Sequence, residues 1–549
     1  MKTKNIILSL FLGAGLLAGC SDGFDELNSN PNGLTDDEYS FARADLGAAI
    51  RNGANYNYAL DGSLQGGADV QQRMKALGID GFVQYGTSTA AAASYTQNDG
   101  WQGKIWHAHY ISHLWPLNGV IQGAEMAIDT ETNIRSIALI WRVYVQARFT
   151  DYMGPVPFPR NTEDVKDDVA PEYMDLDKQY ELFFKDLDEA LKGFDDAKVT
   201  LDTEPLFAGN LTKWKQFGNT LRLRLALTVS EIAPELCKAQ LQAVASESAG
   251  VMEEGGDASI GAYSGWGNGY PYYMYIVGWG ERNYLLTTTM EKTMTNLGGM
   301  AYNGAATGTH PAKVDPRGSK MFEPSPTGDN WMGRKPGLNP VPADLTPTIS
   351  GMNRATLLPN DQRKAQLETY PETCFLMAEA VERFGIASSR TAKGWYEEGV
   401  RASLKEWGYY DEAVVATYLA STDKNDWGTS ANYDDVTGNG NTKLEKIIAQ
   451  KYIACYPDLS NQMWNDKRRL NLPAMDIPDF RDTGAGTFPT DNNIQNPFNF
   501  IQRTVFPQSE VQLNRERYDA GVALLKDGDK VSSPLWWASK GNNYCTSVQ

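Results

Sequence analysis

Residues 372–408 read ETCFLMAEAVERFGIASSRTAKGWYEEGVRASLKEWG and contain two amphipathic segments joined by a short turn with Gly and Ser. In each segment apolar side chains recur every three or four residues, which is the spacing of one helix face. The two stripes are Met377, Ala380, Val381 and Phe384, and Tyr396, Val400, Leu404 and Trp407. Together the segments cover about 36 residues, close to the 34-residue tetratricopeptide (TPR) unit of two stacked helices. The stretch predicts a TPR-like helix pair.

The same helical spacing recurs along most of the chain on either side of this pair. Further stripes lie at 137–148 and 180–191, and another helix is predicted from Leu444 to about Trp464. The run LRLRLAL at 221–227 alternates like a strand, but the apolar residues before and within it keep a helical phase, so a helix is predicted there. The sequence therefore predicts a mostly α-helical fold with TPR-like helix pairs as its scaffold.

Long irregular stretches separate these helices, at about 60–104, 251–283, 300–362, 422–442 and 473–510. Loops of this length inside a compact protein are usually functional or disordered. Disordered segments are poor in aromatic residues, whereas these stretches are rich in Tyr and Trp. We expect one helical domain over residues 41–549, with the long loops forming a ligand-binding face.

The first 40 residues indicate export and lipid attachment. Lys2 and Lys4 precede an apolar run from Ile6 to Leu17, which is too short to span a bilayer but suits a secretory signal. The run ends in Leu-Ala-Gly-Cys, which resembles a bacterial lipobox. We expect residues 1–19 to be a signal peptide, Cys20 to carry acyl chains that anchor the protein, and residues 20–40 to form a tether.

The net charge, the cysteines and the lack of long apolar runs argue against several classes of function. The chain has a formal net charge of −18, which disfavours nucleic-acid binding because that depends on clustered Lys and Arg. Beyond Cys20 the remaining cysteines are far apart and form no C-x-x-C pair, and Cys374 and Cys455 are expected to be free buried thiols. No apolar run after the signal reaches spanning length, so the membrane is expected to be contacted through the lipid anchor only.

No motif of an enzyme or of a metal site stands out in the sequence. There is no G-x-S-x-G, H-E-x-x-H or P-loop. His109 and His113 share a helix face but lack a third ligand nearby, so they are expected to be helix-surface histidines. Residues 434–439, DDVTGN, lack the ligand pattern of a calcium loop. We expect no cofactor, no metal and no catalytic residues. Because a glycosidase needs only two suitably placed carboxylates, a surface glycan-degrading enzyme is the alternative.

The strongest local signal for binding is the segment YSGWGNGYPYYMYIVGWGERNY at 263–284. Flat aromatic faces can stack on sugar rings or peptide side chains, and a few polar groups can fix the ligand's orientation. The predicted ligand-binding residues of this segment are Trp266, Asn268, Tyr270, Tyr272, Tyr273, Trp279 and Arg282. Trp101 in QNDGWQG and Trp331 in GDNWMGR are added as further loop aromatics, whereas Trp106 is expected to belong to the core.

Taken together, these segments resemble the SusD/RagB family of nutrient-binding outer-membrane lipoproteins, in particular its SusD-like, starch-binding-associating branch. The resemblance covers nearly the whole mature chain. The stretches on which it rests are FDELNSNPNG (24–33), DYMGPVPF (151–158), WKQFGNTLRLRLAL (214–227), DPRGSKMF (315–322), TYPETCFLMAEAVERFG (369–385), WYEEGVRASLKEWG (395–408), LEKIIAQKYIACY (444–456), MWNDKRR (463–469), FPQSEVQLN (506–514) and LWW (535–537).

The resemblance implies a non-enzymatic, lipid-anchored protein on the outer face of the outer membrane of a Bacteroidetes cell. The acidic residues Asp22, Asp25 and Glu26 after the lipidated cysteine resemble the export signal of such lipoproteins. Such a protein acts as a lid on a SusC-like TonB-dependent transporter and captures an oligomeric nutrient, with oligosaccharide favoured and oligopeptide possible. The resemblance also implies core polar contacts for Trp214, Arg222, Arg224, Glu379 and Arg468.

Overall fold

Helices form most of the fold in the computed structural model, which describes residues 41–55, 72–86, 99–161, 171–261, 284–336, 346–357, 363–478 and 500–547. The α-helices of six or more residues in these ranges are α1 (Phe41–Asn55), α2 (Asp99–Ala108), α3 (Trp115–Met126), α4 (Ile128–Met153), α5 (Leu176–Gly193), α6 (Leu211–Thr228), α7 (Pro234–Ser246), α8 (Thr288–Met294), α9 (Tyr370–Phe384), α10 (Ala392–Glu406), α11 (Glu412–Ala420), α12 (Lys443–Ala454), α13 (Ser460–Leu470), α14 (Gln508–Leu513) and α15 (Arg515–Ala523).

The TPR-like pair predicted from residues 372–408 is confirmed as α9 and α10. Thr369 and Thr391 cap the two helices at their N-termini, each through a side-chain oxygen that accepts a backbone N–H. Gly385 ends α9 in the left-handed conformation, with φ of 62°. Gly399 of α10 lies against Phe375 of α9, and a Cβ there would come within 2.8 Å of the ring. The absence of a side chain at this position therefore allows the two helices to pack closely.

The region 443–470 differs from the prediction, because it forms two helices instead of one. α12 ends at Ala454 and α13 begins at Ser460, with Pro457 between them. Proline lacks the N–H that a continuous helix would need, and its ring disfavours a helical conformation of the preceding residue, Tyr456. The helix predicted through LRLRLAL is confirmed as α6, which Asn210 caps by accepting the N–H of Lys213.

The described strands are short and pair in three antiparallel two-stranded ladders. β1 (Val156–Pro157) pairs with β2 (Tyr173–Met174), β3 (Ala258–Ile260) with β6 (Ala365–Glu368), and β4 (Phe322–Glu323) with β5 (Gly351–Met352). The ladders join loop segments to one another, and apolar side chains of the strands, such as Val156 and Phe322, are buried in the core with those of the helices.

The motif MWNDKRR, at 463–469, lies inside the helical core. Both terminal nitrogens of Arg469 donate to the carboxylate of Glu379 on α9, at 2.6 Å each. Arg469 also pairs with Asp466 at 2.8 Å, and Asp466 in turn pairs with Lys451 of α12 at 3.0 Å. Arg383 of α9 also pairs with Glu379, at 2.7 Å. This buried ionic network joins α9, α12 and α13.

A second buried cation, Arg468, lies between two indole rings. Its guanidinium carbon is 3.7 Å from the ring centre of Trp464 and 4.6 Å from that of Trp537. The guanidinium donates to the backbone carbonyl of Asp151 on α4 at 2.7 Å. This contact connects the C-terminal segment LWW, at 535–537, to α4 and α13.

The core polar contacts expected of the motif residues are confirmed. Trp214 donates to Glu204 at 3.1 Å, Arg222 pairs with Asp188 at 2.7 Å, and Arg224 donates to Glu372 at 2.8 Å. The side chains of all three motif residues are buried. These contacts explain why the motif residues are polar although they lie in the core.

Residues 42–549 form one compact unit of the chain. Within the described ranges, no helix combines the length and the apolar composition needed to cross a bilayer. The buried thiols Cys374 and Cys455 are free, as predicted, and so is Cys237.

Glu379→Gln tests the ionic network. Burial raises the pKa of Glu379, but the charge of Arg469, its hydrogen bonds and the charge of Arg383 together lower this pKa from 4.5 to about 2. Removing one partner of a buried ion pair typically costs about 3–5 kcal/mol, so we expect a loss of that size in the free energy of unfolding at pH 7, measured with urea. Arg515→Ala, which breaks the exposed Arg515–Asp519 pair, should change it little.

The difference between wild type and Glu379→Gln should also depend on pH. A lowered pKa stabilises the fold above the ordinary value of 4.5, and that stabilisation is lost as the pH falls from 4.5 towards 2. We therefore expect the free energies of unfolding of wild type and Glu379→Gln to converge as the pH falls from 4.5 towards 2. A difference that stays constant down to pH 2 would contradict the ionic role of Glu379.

Candidate functional site

A continuous helical run from Asp99 to Met126 forms one wall of a large groove. The run begins as α2, widens to a π-helix over His109–Leu114, and continues as α3. Single π-helical turns inside longer helices are found frequently at functional sites. The residues that line the groove follow one helical stripe, and they are Gly103, Trp106, His107, Tyr110, Ile111, Leu114, Trp115 and Asn118.

The opposite side of the groove comes from two distant parts of the chain. Pro157, Pro159 and Pro171 flank the β1–β2 ladder, and Ser509, Glu510, Leu513 and Asn514 belong to α14 and the residue after it. The groove has a volume of about 820 Å³. Ligand pockets typically measure about 300–1,000 Å³ and are mostly apolar with a few polar groups. Size and lining together make this groove the candidate functional site.

Large apolar side chains at the groove are unusually exposed. Ile111 is 56 % exposed, Trp115 is 42 % exposed and Leu513 is 80 % exposed. Trp106 is half-buried, and its ring centre lies 5.2 Å from that of Tyr110 and 5.9 Å from that of Tyr173. Contrary to the prediction, Trp106 is therefore not confined to the core, because one part of it packs inwards while another lines the groove. Apolar side chains exposed together in a concave surface are typical of binding sites.

Most polar side chains in the groove wall already have partners within the protein. The Tyr110 hydroxyl donates to the carbonyl of Pro157 at 2.9 Å. The Asn118 amide donates to the carbonyl of Pro159 at 2.9 Å and accepts from Arg142 at 3.3 Å. These bonds fasten the helical run to the strand segment, and they leave mainly aromatic and aliphatic surface facing the groove.

The two histidines behind the groove are buried, contrary to the expectation that they lie on a helix surface. His109 stacks on Phe149, with ring centres 3.8 Å apart, and its Nε2 lies 2.8 Å from the amide oxygen of Gln146. Burial lowers the pKa of His109 to about 3 and that of His113 well below its usual range. Both imidazoles are therefore neutral at physiological pH and belong to the core that supports the π-helical turn.

Of the aromatic segment 263–284, only Tyr284 lies in the described part of the chain. Tyr284 is buried, and its hydroxyl donates to Asp80 at 3.1 Å, so it is a core residue. The predicted ligand-binding residues outside the described ranges are Trp266, Asn268, Tyr270, Tyr272, Tyr273, Trp279 and Arg282.

Trp101 and Trp331 are the two loop aromatics predicted outside the segment 263–284; Trp101 lies in a helix instead, whereas Trp331 lies in a loop as predicted but is buried. Trp101 belongs to α2, where it is half-buried, packs against the core and lies 5.8 Å from the guanidinium of Arg73. Trp331 has no exposed surface and lies 6.2 Å from the ring centre of Tyr302. The loop around Trp331 turns its largest apolar side chain inwards, as compact loops packed by their own side chains do. Trp331 therefore has no face that a ligand could contact in this conformation.

A buried lysine, Lys446, lies beside the segment 434–439, since the Ser430 hydroxyl that it contacts also donates to Asp435 at 2.8 Å. The ammonium of Lys446 donates to the carbonyl of Ser430 at 3.0 Å, to its hydroxyl at 2.7 Å, and to the side-chain oxygen of Asn441. Burial lowers the pKa of Lys446 to about 8. Among the described residues, no group of three or more His, Cys, Asp or Glu side chains is arranged to hold a metal ion.

The groove itself was not predicted from the sequence. Its helical stripe has the spacing of a core-facing stripe, and nothing in the spacing shows that its outer part lacks a packing partner. The one available signal was the position of apolar residues at both Ile111 and Trp115, next to the core positions Tyr110 and Leu114. Two adjacent apolar residues in each turn, 110 with 111 and 114 with 115, make the apolar face of the helix wider than one neighbouring helix can cover.

Comparison with known proteins assigns the chain to a family. The family described as SusD-like, "Susd and RagB outer membrane lipoprotein", matches residues 26–538. The chain therefore belongs to the SusD-like family of outer-membrane lipoproteins, as the sequence resemblance predicted. No match was found among curated proteins.

Solved structures agree with this assignment. A SusD homologue from Parabacteroides distasonis is 35 % identical, with a TM-score of 0.83 over 93 % of this chain and 100 % of the homologue. A SusD homologue from Bacteroides vulgatus is 24 % identical, with a TM-score of 0.74 over 92 % and 99 % of the two chains. A chitin-binding SusD homologue from Flavobacterium johnsoniae is 22 % identical, with a TM-score of 0.73 over 90 % and 98 %. The predicted mostly α-helical SusD-like fold is confirmed.

The variants Trp331→Phe and Trp115→Ala should distinguish a tryptophan that stabilises the fold from one that is available to a ligand. Trp331 is fully buried, so its replacement leaves a cavity and should lower the midpoint of urea unfolding. Trp115 is exposed at the groove, so its removal should leave that midpoint nearly unchanged. In calorimetry with a ligand of the protein, Trp331→Phe should bind as wild type does. A large loss of affinity without a loss of stability in Trp331→Phe would show that the indole contacts the ligand after all.

Proposed function

We propose that this protein captures an oligomeric nutrient at the cell surface and delivers it to a SusC-like TonB-dependent transporter. The observation that carries the proposal is the open, aromatic-lined groove of about 820 Å³, found in a chain of a family of outer-membrane lipoproteins. A groove of this volume on the protein surface can hold a section of a longer molecule. An oligomer is therefore the class of ligand that we propose.

Oligosaccharide is the ligand that the aromatic segment 263–284 favours. Aromatic side chains stack on the apolar faces of sugar rings, and one structural neighbour is a chitin-binding SusD homologue. Trp266, Tyr270, Tyr272 and Trp279 of the segment 263–284 are proposed to supply such faces, with Asn268 and Arg282 as directing polar groups. Tyr273 belongs to the same proposed set, and Trp101 is retained as a half-buried member.

Oligopeptide is the second candidate, and one observation favours it. In the groove wall the Tyr110 hydroxyl and the Asn118 amide already bond to the protein. A sugar ring offers many hydroxyl groups that need hydrogen-bond partners, and leaving buried polar groups unpaired is costly. Apolar peptide side chains make no such demand.

The alternative function, a surface glycan-degrading enzyme, fits the groove less well. A glycosidase needs two carboxyl groups on opposite sides of the scissile bond, about 5–10 Å apart. Of the described residues that line the groove, Glu510 is the single acidic one. We therefore propose a binding protein without catalytic activity. Cleavage of oligosaccharides during incubation with purified protein would overturn this part of the proposal.

The transporter is the proposed protein partner. A lid that closes over a barrel should bury more than the about 1,600 Å² of a standard protein–protein interface. The lipid on Cys20 would keep the lid on the same membrane as the barrel. No nucleic acid or cofactor is part of the proposal.

Cys20→Ala tests the anchor. Without the thiol no acyl chain can be attached at this position, so the variant should be released from the membrane fraction. The measurement is fractionation of cells that lack the transporter, because a bound barrel could retain an unanchored lid. Retention of Cys20→Ala in the outer membrane of such cells would place the anchor elsewhere.

The central experiment is purification of the wild-type protein from membranes in mild detergent, followed by mass spectrometry. We expect a TonB-dependent barrel and an oligomeric nutrient in the same sample. A monomer with no barrel would contradict the partnership. Calorimetry with the identified ligand then compares variants, because truncating a central aromatic anchor typically costs about 2 kcal/mol or more, roughly thirtyfold in Kd.

The variants for calorimetry are Trp266→Ala, Tyr272→Ala and Trp115→Ala, with Tyr410→Ala as the matched control. Tyr410 is 69 % exposed and does not line the groove, so its removal should leave the Kd unchanged. Loss of affinity in the 263–284 variants would assign the ligand to that segment, and loss in Trp115→Ala would assign it to the groove. Unchanged affinity in all three would overturn both assignments.

A further inference from the structure

One carboxylate in the groove is buried. Glu510 belongs to α14, is 7 % exposed and lines the groove. One of its oxygens accepts from the Tyr173 hydroxyl at 2.9 Å, and the other accepts from the Asn514 amide at 3.1 Å. A carboxylate has about four acceptor positions, so these two bonds leave acceptor capacity for a further donor.

No cation of the described part of the chain forms an ion pair with Glu510. The arginines on the neighbouring stretches already pair with other carboxylates: Arg503 with Asp529 at 2.6 Å, Arg517 with Glu172 at 2.6 Å and Arg515 with Asp519 at 2.8 Å. Buried charges in proteins are normally paired, because an isolated charge away from water is costly. The Glu510 carboxylate is therefore a buried group for which a cation on a ligand would be the most favourable partner.

The surroundings of Glu510 restrict what can carry that cation. Besides Glu510, the groove is lined mainly by Leu513, by prolines and by the aromatic stripe of the helical run, with His107, Ser509 and Asn514 among its polar residues. The nearby hydroxyl of Tyr110 and amide of Asn118 are engaged within the protein. A ligand with one ammonium group and a bulky apolar group fits both the Glu510 carboxylate and the apolar wall. A ligand with many hydroxyl groups can donate to the carboxylate but does not fit the apolar wall.

We infer that the groove binds the N-terminal residue of an oligopeptide, with the α-ammonium group on Glu510 and an aromatic or branched aliphatic side chain against the apolar wall. The inference rests on the proposed capture function and names the ligand class of the groove. The ammonium donates to Glu510 in a charge-assisted hydrogen bond, which is about twice as strong as a neutral one. The Tyr173 and Asn514 bonds hold the carboxylate in place for it.

The test compares three probes by calorimetry on the purified full-length mature protein in detergent. The first probe is the tripeptide amide Phe-Ala-Ala, the second is the same peptide with an acetylated N-terminus, and the third is the trimer of glucosamine. We expect the free peptide to bind and acetylation to weaken its binding about tenfold or more, because acetylation removes the charge. The glucosamine trimer also carries ammonium groups, and it should bind more weakly than the free peptide.

Glu510→Gln and a matched control complete the test. Glutamine keeps an acceptor for the Tyr173 hydroxyl but removes the charge, so the variant should bind the free and the acetylated peptide equally. Glu516→Gln, which changes an exposed acid on α15, should keep the wild-type preference. Equal binding of both peptides by the wild type would overturn the inference without the need for any variant. Tighter binding of the glucosamine trimer than of the peptide would overturn the peptide assignment.

The outcomes separate this inference from the proposed function. If a nutrient and a barrel co-purify with the protein but the wild type does not distinguish the two peptides, the groove assignment fails and the capture function stands. If the peptides are distinguished but no barrel co-purifies, the groove assignment stands and the partnership fails.

Discussion

The arrangement of helices depends on buried guanidinium groups that must be matched by acceptors. Arginine stays charged in proteins, so a guanidinium that leaves water needs carboxylates or carbonyls at fixed positions around it. Arg469 meets this need through Glu379 and Asp466, which sets α9 against α13. Arg142 of α4 does the same for the groove, because it donates to Asn118 on α3 and to Asp186 on α5. The groove wall is thus positioned by the same kind of contact as the scaffold.

Much of this scaffold could be predicted from the sequence, because amphipathic spacing is local information. The pair α9 and α10 and the helix α6 follow directly from their apolar stripes, and the polar motif residues are buried as the family resemblance implied. The break between α12 and α13 was missed because the apolar spacing continues across Pro457, although proline chemistry marks it. A proline therefore decides where a helix ends even where the apolar stripe continues past it.

The site was less predictable, because exposure depends on what packs against a residue. Nothing in the residues around Trp331 (DNWMG) or Trp115 (HLWPL) shows how exposed each indole is, yet the first is fully buried and the second is exposed. Glu510 lies in the stretch FPQSEVQLN, where nothing local shows that it meets the helical run of residues 103–118. Such contacts join residues hundreds of positions apart, and single-sequence spacing carries no information about them.

That separation along the chain has a consequence for how the protein matures. The groove combines residues of the run 103–118 with Pro157, Pro159 and Pro171 and with residues 509–514, so its two sides are separated by several hundred residues of chain. Contacts of high sequence separation form late, because a long loop must be closed before they contribute. Helix pairs such as α9 and α10 need only local contacts and can form earlier. A folding chain would thus acquire its scaffold first and its groove last, so that an intact groove reports a completely folded molecule.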